Sequence, residues 1–97
     1  MTRAIFSNRA SADVENIWRY TFRTWGPTQA DGHVEDLIRT CDALALGARQ
    51  GRPEPVFTGM LKYPVGKHIV VYEKIEGGVR IVRILHQRMD MARHLDD

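Results

Sequence analysis

One stretch of this sequence decides its fold: residues 67–86 read KHIVVYEKIEGGVRIVRILH. Two runs rich in Ile and Val flank Glu76-Gly77-Gly78, a tripeptide typical of a tight hairpin turn. The first run contains four apolar residues in succession, which is typical of a strand buried on both faces. The stretch therefore predicts two antiparallel strands, Lys67–Ile75 and Val79–His86, with the first at the centre of a sheet.

The chain before this hairpin supplies two further strands. Residues 56–63 have a strand pattern that is interrupted at Gly59, and Pro64-Val65-Gly66 then turns the chain. Residues 48–55 contain two prolines and a glycine, so we expect an irregular loop there. Near the start of the chain, Ala4-Ile5-Phe6 is a candidate first strand.

Between the first strand and this loop, apolar residues recur at the period of a helix. In the first helix Ser11 is the expected N-cap, and Gly26-Pro27 ends the pattern. In the second, Pro27 suits the first turn and Gly47 the residue after the last turn. The predicted core faces are Val14, Ile17, Trp18, Phe22 and Trp25 in the first helix, and Ala30, Val34, Leu37, Ile38, Cys41 and Ala45 in the second.

These elements predict an α+β fold with the order β-α-α-β-β-β-(α), in which a helix hairpin packs on an antiparallel sheet. The bracketed element is a short helix expected over residues 90–95. Both helices must cover one face of the sheet, because no other segment can bury their apolar faces. We expect a single domain over residues 1–97, since 97 residues support one hydrophobic core.

Composition and charge narrow the function classes. The apolar fraction of 43% argues against disorder, and no apolar run approaches the length of a membrane span. A single cysteine, Cys41, permits no internal disulfide and favours a reducing, cytoplasmic location. Residues 1–55 carry equal numbers of arginines and acids, whereas residues 56–95 carry seven Lys or Arg against three acids. The C-terminal half therefore suits an acidic partner, although an ordinary solvated sheet face has a similar composition.

Few residues are candidates for catalysis or for binding a cofactor or metal. The sequence contains no phosphate-binding glycine motif and no cluster of metal ligands, so we predict neither a cofactor nor a metal. Trp18, Trp25 and Cys41 are expected in the core. His86, between Arg83 and Arg88, is a candidate general acid or base with arginines to stabilise a phosphate, or else a residue that caps the strand end. Strand alternation places Arg80, Val82, Ile84 and His86 on one face and Arg83 on the other with Val79, Ile81 and Leu85.

Several segments resemble the ParE toxins of the RelE/ParE superfamily. The matching residues are 17–20 (IWRY) and 25–30 (WGPTQA) in the helices, Gly51-Arg52 in the loop, and 63–68 (YPVGKH), 71–73 (VYE) and 81–90 (IVRILHQRMD) in the sheet and beyond. The resemblance covers about Asp13 to Leu95. It implies the same β-α-α-β-β-β fold and a cytosolic toxin of a type II toxin–antitoxin system, neutralised by a co-expressed, ParD-like antitoxin.

Two modes of toxicity follow from the resemblance. ParE toxins bind and poison DNA gyrase, whereas RelE toxins cleave mRNA on the ribosome with basic sheet residues and a Tyr or His near the last strand's end. In the second mode His86, Arg83 and Lys62 are the candidate catalytic residues. Gln87 follows His86 without a nearby tyrosine, and the sheet lacks a dense basic cluster, so we favour the gyrase-binding, non-enzymatic mode. A chain that has lost toxicity and survives as a binding partner is a third possibility.

The sequence also indicates where toxicity resides. The excess positive charge lies in the last strand and the residues after it, and the predicted helices commit the best side chains of the first half to the core. We expect target contacts from Arg83, His86, Arg88, Arg93 and His94. The expected partners are the antitoxin and gyrase, with no membrane and no nucleic acid bound by the chain alone.

Overall fold

The computed structural model describes residues 3–55 and 58–87. In chain order the elements are β1 (Arg3–Phe6), α1 (Asn8–Trp25), α2 (Pro27–Leu46), β2 (Arg52–Pro53), β3 (Leu61–Val65), β4 (His68–Ile75) and β5 (Gly78–His86). This order confirms the predicted α+β fold. The short helix expected over residues 90–95 lies outside the described residues. No helix in the described part of the chain combines the length and apolarity that a membrane crossing needs.

The five strands form one sheet in the order β1-β5-β4-β3-β2. As predicted, β4 is central, and Val70, Val71 and Tyr72 are buried. The prediction of an all-antiparallel sheet is wrong, because β1 pairs with β5 in parallel. Short turns force antiparallel pairing only on β3, β4 and β5, whereas the helix hairpin separates β1 from its partner and leaves its direction free.

The segment before β4 differs most from the prediction. The loop over 48–55 contains β2, a two-residue strand that pairs with Leu61 and Lys62. In turn, β3 starts at Leu61 rather than at residue 56, and it includes Pro64 and Val65. A proline is tolerated there because β2 covers only the first part of the outer edge of β3. The turn before β4 is therefore limited to Gly66 and Lys67.

Helix α1 begins four residues earlier than predicted. Its N-cap is Ser7, not Ser11: the Ser7 hydroxyl accepts a hydrogen bond from the Ala10 amide and donates one to the Val82 carbonyl of β5. The other predicted ends are confirmed. Pro27 opens α2, and Gly47 ends it in the left-handed conformation, with φ at +78°.

The core lies between the helix hairpin and one face of the sheet. In α1 the buried positions are Ala10, Ile17 and Thr21, and Val14 packs beside them. Trp18, Phe22 and Trp25 were also predicted in the core, but they form a second stripe on the flank of α1. Phe22 and Trp25 are exposed, and Trp18 donates its indole N–H to Asp31 of α2 at 2.9 Å. Thr21 can be buried because its hydroxyl donates a hydrogen bond to the carbonyl of Ile17.

Helix α2 follows its predicted face more closely. Ala30, Leu37 and Cys41 are buried, Leu44 joins them, and Ile38 is 37% exposed. Burial, with a smaller effect from Asp42, raises the pKa of the Cys41 thiol to about 12. Cys41 is therefore a small buried hydrophobe, as predicted.

An irregular register in β5 changes which side chains share a face. Val71 pairs with Arg83 and Tyr72 with Ile81, so Val82 is an extra residue in β5. The predicted grouping of faces is wrong for this reason, because a bulge shifts the alternation by one residue. Val79, Ile81 and Ile84 all pack in the core under the helices.

Candidate functional site

The predicted site residues that the structure describes lie in three separate places. These are the outer edge of β5, a groove between the helix hairpin and the end of the sheet, and the face of β3 away from the helices. Arg88, Arg93 and His94, predicted to contact the target, lie outside the described residues.

At the edge of β5, Arg83 is held by α1. Its Nε donates to Asp13 Oδ2 at 2.9 Å and its Nη2 to Asp13 Oδ1 at 3.0 Å. The Ile84 amide also donates to Asp13 Oδ2, at 2.9 Å. Asp13 lies just beyond the point where β1 stops pairing with β5 at Ile81, so its carboxylate takes the place of the missing strand. Arg83 is therefore committed to an ion pair in which both side chains are largely buried.

The groove brings together three histidines from different elements. His68 at the start of β4 pairs across the sheet with His86 at the end of β5, and their ring centroids are 5.5 Å apart, edge to face. His33 of α2 approaches from the helix side, with its Nε2 3.2 Å from His68 Nδ1. The β5 bulge makes this arrangement possible, because it turns His86 toward the helices.

Electrostatics keep the central histidine neutral. Burial, and then the proximity of His33 and His86, lower the pKa of His68 from 6.5 to about 4. At neutral pH the contact between His33 and His68 is therefore a hydrogen bond in which at least the His68 ring is uncharged. Within the described ranges, no three His, Cys, Asp or Glu side chains are arranged to hold a metal ion.

Exposed aromatic side chains border the groove. It has a volume of about 700 Å³, and Tyr20 and Trp25 of α1, Asp36 of α2 and Lys67 of the turn line it together with the histidines. Tyr20 and Trp25 are 65% and 66% exposed, which is unusual for such large side chains. Tyrosine and tryptophan are enriched at the energetic centres of protein interfaces, so this groove has the composition of a docking surface.

Lys62 lies apart from this groove. On β3 it alternates with Leu61 and Tyr63, which pack toward the helices, so it projects from the opposite face. There its ammonium group is 3.3 Å from the buried carboxylate of Glu54. The structure therefore does not bring Lys62 and His86 together, and Arg83 is engaged by Asp13.

Three site residues, His33, His68 and Asp13, were not predicted from the sequence. One signal for His68 was available. In an antiparallel hairpin, residues equally distant from the turn lie opposite each other, and the predicted turn at 76–78 therefore places His68 opposite His86. No local signal in the sequence indicated a role for Asp13. Its contact with β5 depends on the end of β1, which no local pattern reveals.

The sequence of the chain matches a known protein family. The family model described as "ParE toxin of type II toxin-antitoxin system, parDE" matches residues 4–91. The chain belongs to the ParE toxin family. Membership confirms the resemblance seen in the sequence and makes the chain a ParE toxin of a type II toxin–antitoxin system.

Relatives and a solved structure agree with this assignment. Toxin ParE1 of Mycobacterium tuberculosis is 36% identical over 96 residues, which cover 97% of this chain and 98% of that protein. Toxin ParE1 of Caulobacter vibrioides is 36% identical over 92% of this chain and 93% of its own length. A solved chain described as "Chromosomal ParDE TA system from P. aeruginosa" superposes with a TM-score of 0.76 at 20% identity, covering 89% of this chain and 96% of that one. This last likeness supports the ParE fold.

Proposed function

We propose that this ParE-family chain inhibits DNA gyrase by binding to it, without catalysis, and that a cognate ParD-like antitoxin holds it inactive in the cytoplasm. The observation that carries this proposal is the separation of the candidate catalytic groups. Lys62 and His86 project from opposite faces of the sheet, and Arg83 is bound to Asp13. RNA cleavage needs an acid or base and a phosphate-binding cation that act on the same reacting phosphate. The separation of these groups therefore favours toxicity by binding over toxicity by catalysis.

The toxic surface that we propose centres on the end of β5 and the residues after it. Its members are Arg83, His86, Arg88, Arg93 and His94. His86 contributes from the floor of the groove, where it contacts His68. Arg83 contributes by fixing the end of β5 through Asp13, so it is a positioning residue within this surface. A rigid support for the contact residues strengthens binding because less conformational freedom is lost.

The antitoxin is supported by exposed apolar surface. Trp25, Tyr20 and Phe22 on α1 and Leu46 at the end of α2 are all exposed. A chain with several large exposed side chains gains stability by covering them with a partner. We expect the free toxin to have low solubility and low thermal stability, and its complex with the antitoxin to be soluble and more stable.

The deciding experiment compares the two modes of toxicity in one system. Purified chain is added to a DNA gyrase supercoiling assay, and mRNA ends are mapped on translating ribosomes after the chain is induced in bacteria. We expect loss of supercoiling, its restoration by a ParD-like antitoxin encoded next to the toxin, and no new mRNA ends. Codon-positioned cuts that disappear in His86→Ala, with gyrase unaffected, would establish the endonuclease instead.

A further inference from the structure

Two histidines of the groove have the spacing of two ligands on one metal ion. His33 Nε2 of α2 and His68 Nδ1 of β4 lie 3.2 Å apart, and their ring centroids are 5.2 Å apart with the ring planes tilted by 45°. Two nitrogens that each lie about 2.0–2.1 Å from one tetrahedral zinc ion are roughly 3.3 Å from each other. The hydrogen bond between these rings and a shared metal ion therefore need nearly the same separation. We call His33 and His68 the histidine pair.

The backbone on each side of the histidine pair is fixed by the fold. His33 lies in the middle of α2, with the buried residues Ala30 and Leu37 about one turn away on either side. His68 is the first residue of β4 and pairs with strands on both sides, including His86 of β5. Sites on helices and strands hold their side chains more precisely than sites on loops. The two ligand positions are therefore set before any ion arrives.

The two rings can reach the geometry that an ion requires without movement of the backbone. A ligand nitrogen must offer its lone pair, so the proton between the rings has to move to the far nitrogen of its own ring, which is Nδ1 of His33 or Nε2 of His68. Neutral imidazole exists in both tautomers, so this shift costs no net proton. The last side-chain torsion of histidine has a broad range, so a small rotation of each ring directs both lone pairs to one point.

The donor atoms select the class of ion. Imidazole nitrogen suits zinc, copper and nickel, whereas magnesium and calcium prefer carboxylate and carbonyl oxygen. In the parts of the chain that the structure describes, no third His, Cys, Asp or Glu side chain is arranged to complete the site. Both histidines line the groove of about 700 Å³, so the remaining coordination positions face solvent and are available to water. A site with two protein ligands should bind more weakly than a closed structural zinc site.

The charge around the histidine pair permits a cation. Among the described residues that line the groove, the only acidic or basic side chains besides the histidines are Asp36 and Lys67, whose charges offset each other. Asp36 follows His33 by three residues and therefore lies on the same side of α2. The groove thus imposes no strong repulsion on a divalent ion.

We propose that the histidine pair binds one divalent transition metal ion of the zinc class and so links α2 to the start of β4. The two ligands are 35 residues apart, so no sequence motif indicates the site and the unfolded chain does not hold them together. An ion that binds the folded chain alone stabilises it, so zinc should raise the stability of the protein. The inference does not depend on the identity of the toxin's target.

Isothermal titration calorimetry tests the proposal with the untagged full chain, freed of metal with EDTA and then exchanged into a buffer without chelator or phosphate. Zinc chloride is the probe, and magnesium chloride tests for a general attraction of cations. The variants are His33→Gln and His68→Gln. His94→Gln is the matched control, because it also removes one histidine but not from the pair. Circular dichroism establishes that each variant is folded, and NMR of the parent follows the histidine ring signals without any substitution.

We expect one zinc ion per chain with a Kd on the order of 10 µM, because two ligands should supply roughly half of the binding free energy of a four-ligand site. His33→Gln and His68→Gln should each bind zinc at least about tenfold more weakly, and His94→Gln should bind within about twofold of the parent. Saturating zinc should raise the midpoint of thermal unfolding of the parent by about 5 °C and leave that of the two pair variants nearly unchanged. The His33 and His68 ring signals should shift or broaden together.

Several results would overturn the proposal. These are no saturable binding up to about 0.5 mM zinc, magnesium binding as tight as zinc binding, and undiminished zinc binding in either pair variant. An equal loss of binding in His94→Gln would show that zinc associates with histidines in general, and ring shifts that spare His33 and His68 would place the ion elsewhere.

Discussion

Asp13 of α1 and Arg83 of β5 are joined by two hydrogen bonds of 2.9 and 3.0 Å, although 70 residues separate them in the chain. The same carboxylate accepts the Ile84 amide, so one side chain satisfies three donors at the edge of the sheet. This contact ties the first turns of α1 to the end of β5. No local sequence pattern links these two segments, and they meet only in the folded protein.

Replacing Asp13 with alanine should destabilise the protein. We expect a loss of about 2–3 kcal/mol in the free energy of unfolding, because a largely buried arginine and a backbone amide lose their partner. Glu15→Ala is the control on the same helix. The pair between Glu15 and Arg19 is 60–65% exposed, so its loss should cost under about 0.5 kcal/mol. Urea denaturation measures both, and equal effects would show that the Asp13 contact contributes little.

The histidine contact predicts a pH dependence of stability. The pKa of His68 is lowered from 6.5 to about 4 on folding, so the unfolded chain binds a proton that the folded chain rejects. The stability that neutral His68 contributes is fully present above pH 6.5. It should be lost progressively as the pH falls from 6.5 toward 4.

His68→Gln separates this effect from the titration of carboxylates. Unfolding free energies of the parent and variant, measured between pH 7.5 and 4, should show a shallower decrease in the variant. The His68 ring signals in NMR should report the lowered pKa directly. An ordinary His68 titration near pH 6.5, or identical pH profiles for both proteins, would contradict this prediction.

Two glycines should respond in opposite directions to alanine. Gly51→Ala should destabilise by about 1–3 kcal/mol, because its Cβ meets the Lys62 carbonyl and the Tyr72 hydroxyl within 3 Å. Gly32 lies inside α2 with nothing within 4 Å of a Cβ, so Gly32→Ala should stabilise by about 0.5–1 kcal/mol. Thermal denaturation tests the pair. A Gly51→Ala variant as stable as the parent would mean that the loop yields easily.

The proposed toxic surface is tested by reversing charge in the C-terminal segment. Arg88→Glu with Arg93→Glu should leave a folded protein, since arginine is almost never fully buried and exchanges of exposed charge typically alter stability by less than about 0.5 kcal/mol. We expect a loss of gyrase inhibition and of cell killing, because arginine supplies the forked, permanent donors for an acidic target. The control is Arg9→Glu with Arg39→Glu, two exposed positions on the helices with the same net charge change. A folded Arg88/Arg93 variant that still inhibits gyrase would place the toxic surface elsewhere.

Local patterns predicted the elements that local forces determine. The Gly-Gly turn and the apolar run of residues 69–72 defined the central hairpin, and Pro27 and Gly47 defined the ends of α2. Ser11 was a plausible cap by type, but Ser7 is the cap because its hydroxyl also reaches the Val82 carbonyl. That choice depends on tertiary structure, which a helix-start pattern does not contain.

The candidate site was less predictable for a related reason. Trp25 has the helical spacing of a core residue, yet α1 packs on the core through Ala10, Val14 and Ile17 and leaves Trp25 66% exposed. His33 and His68 are 35 residues apart, and they meet only because α2 lies across the sheet in the folded protein. The strands and helices could therefore be predicted from the sequence, whereas the groove and the ion pair form only when distant segments come together in the folded protein.

The extra residue at Val82 has an evolutionary consequence. If β5 paired regularly with β4 while keeping Val82, the residues after it would shift by one position, and Leu85 rather than His86 would face the helices. Loss of the bulge without loss of a residue can therefore transfer the side chains at this strand end from one side of the molecule to the other, with little change in the sequence. Homologous toxins with and without this bulge need not present the same surface, even where an alignment shows the same histidine.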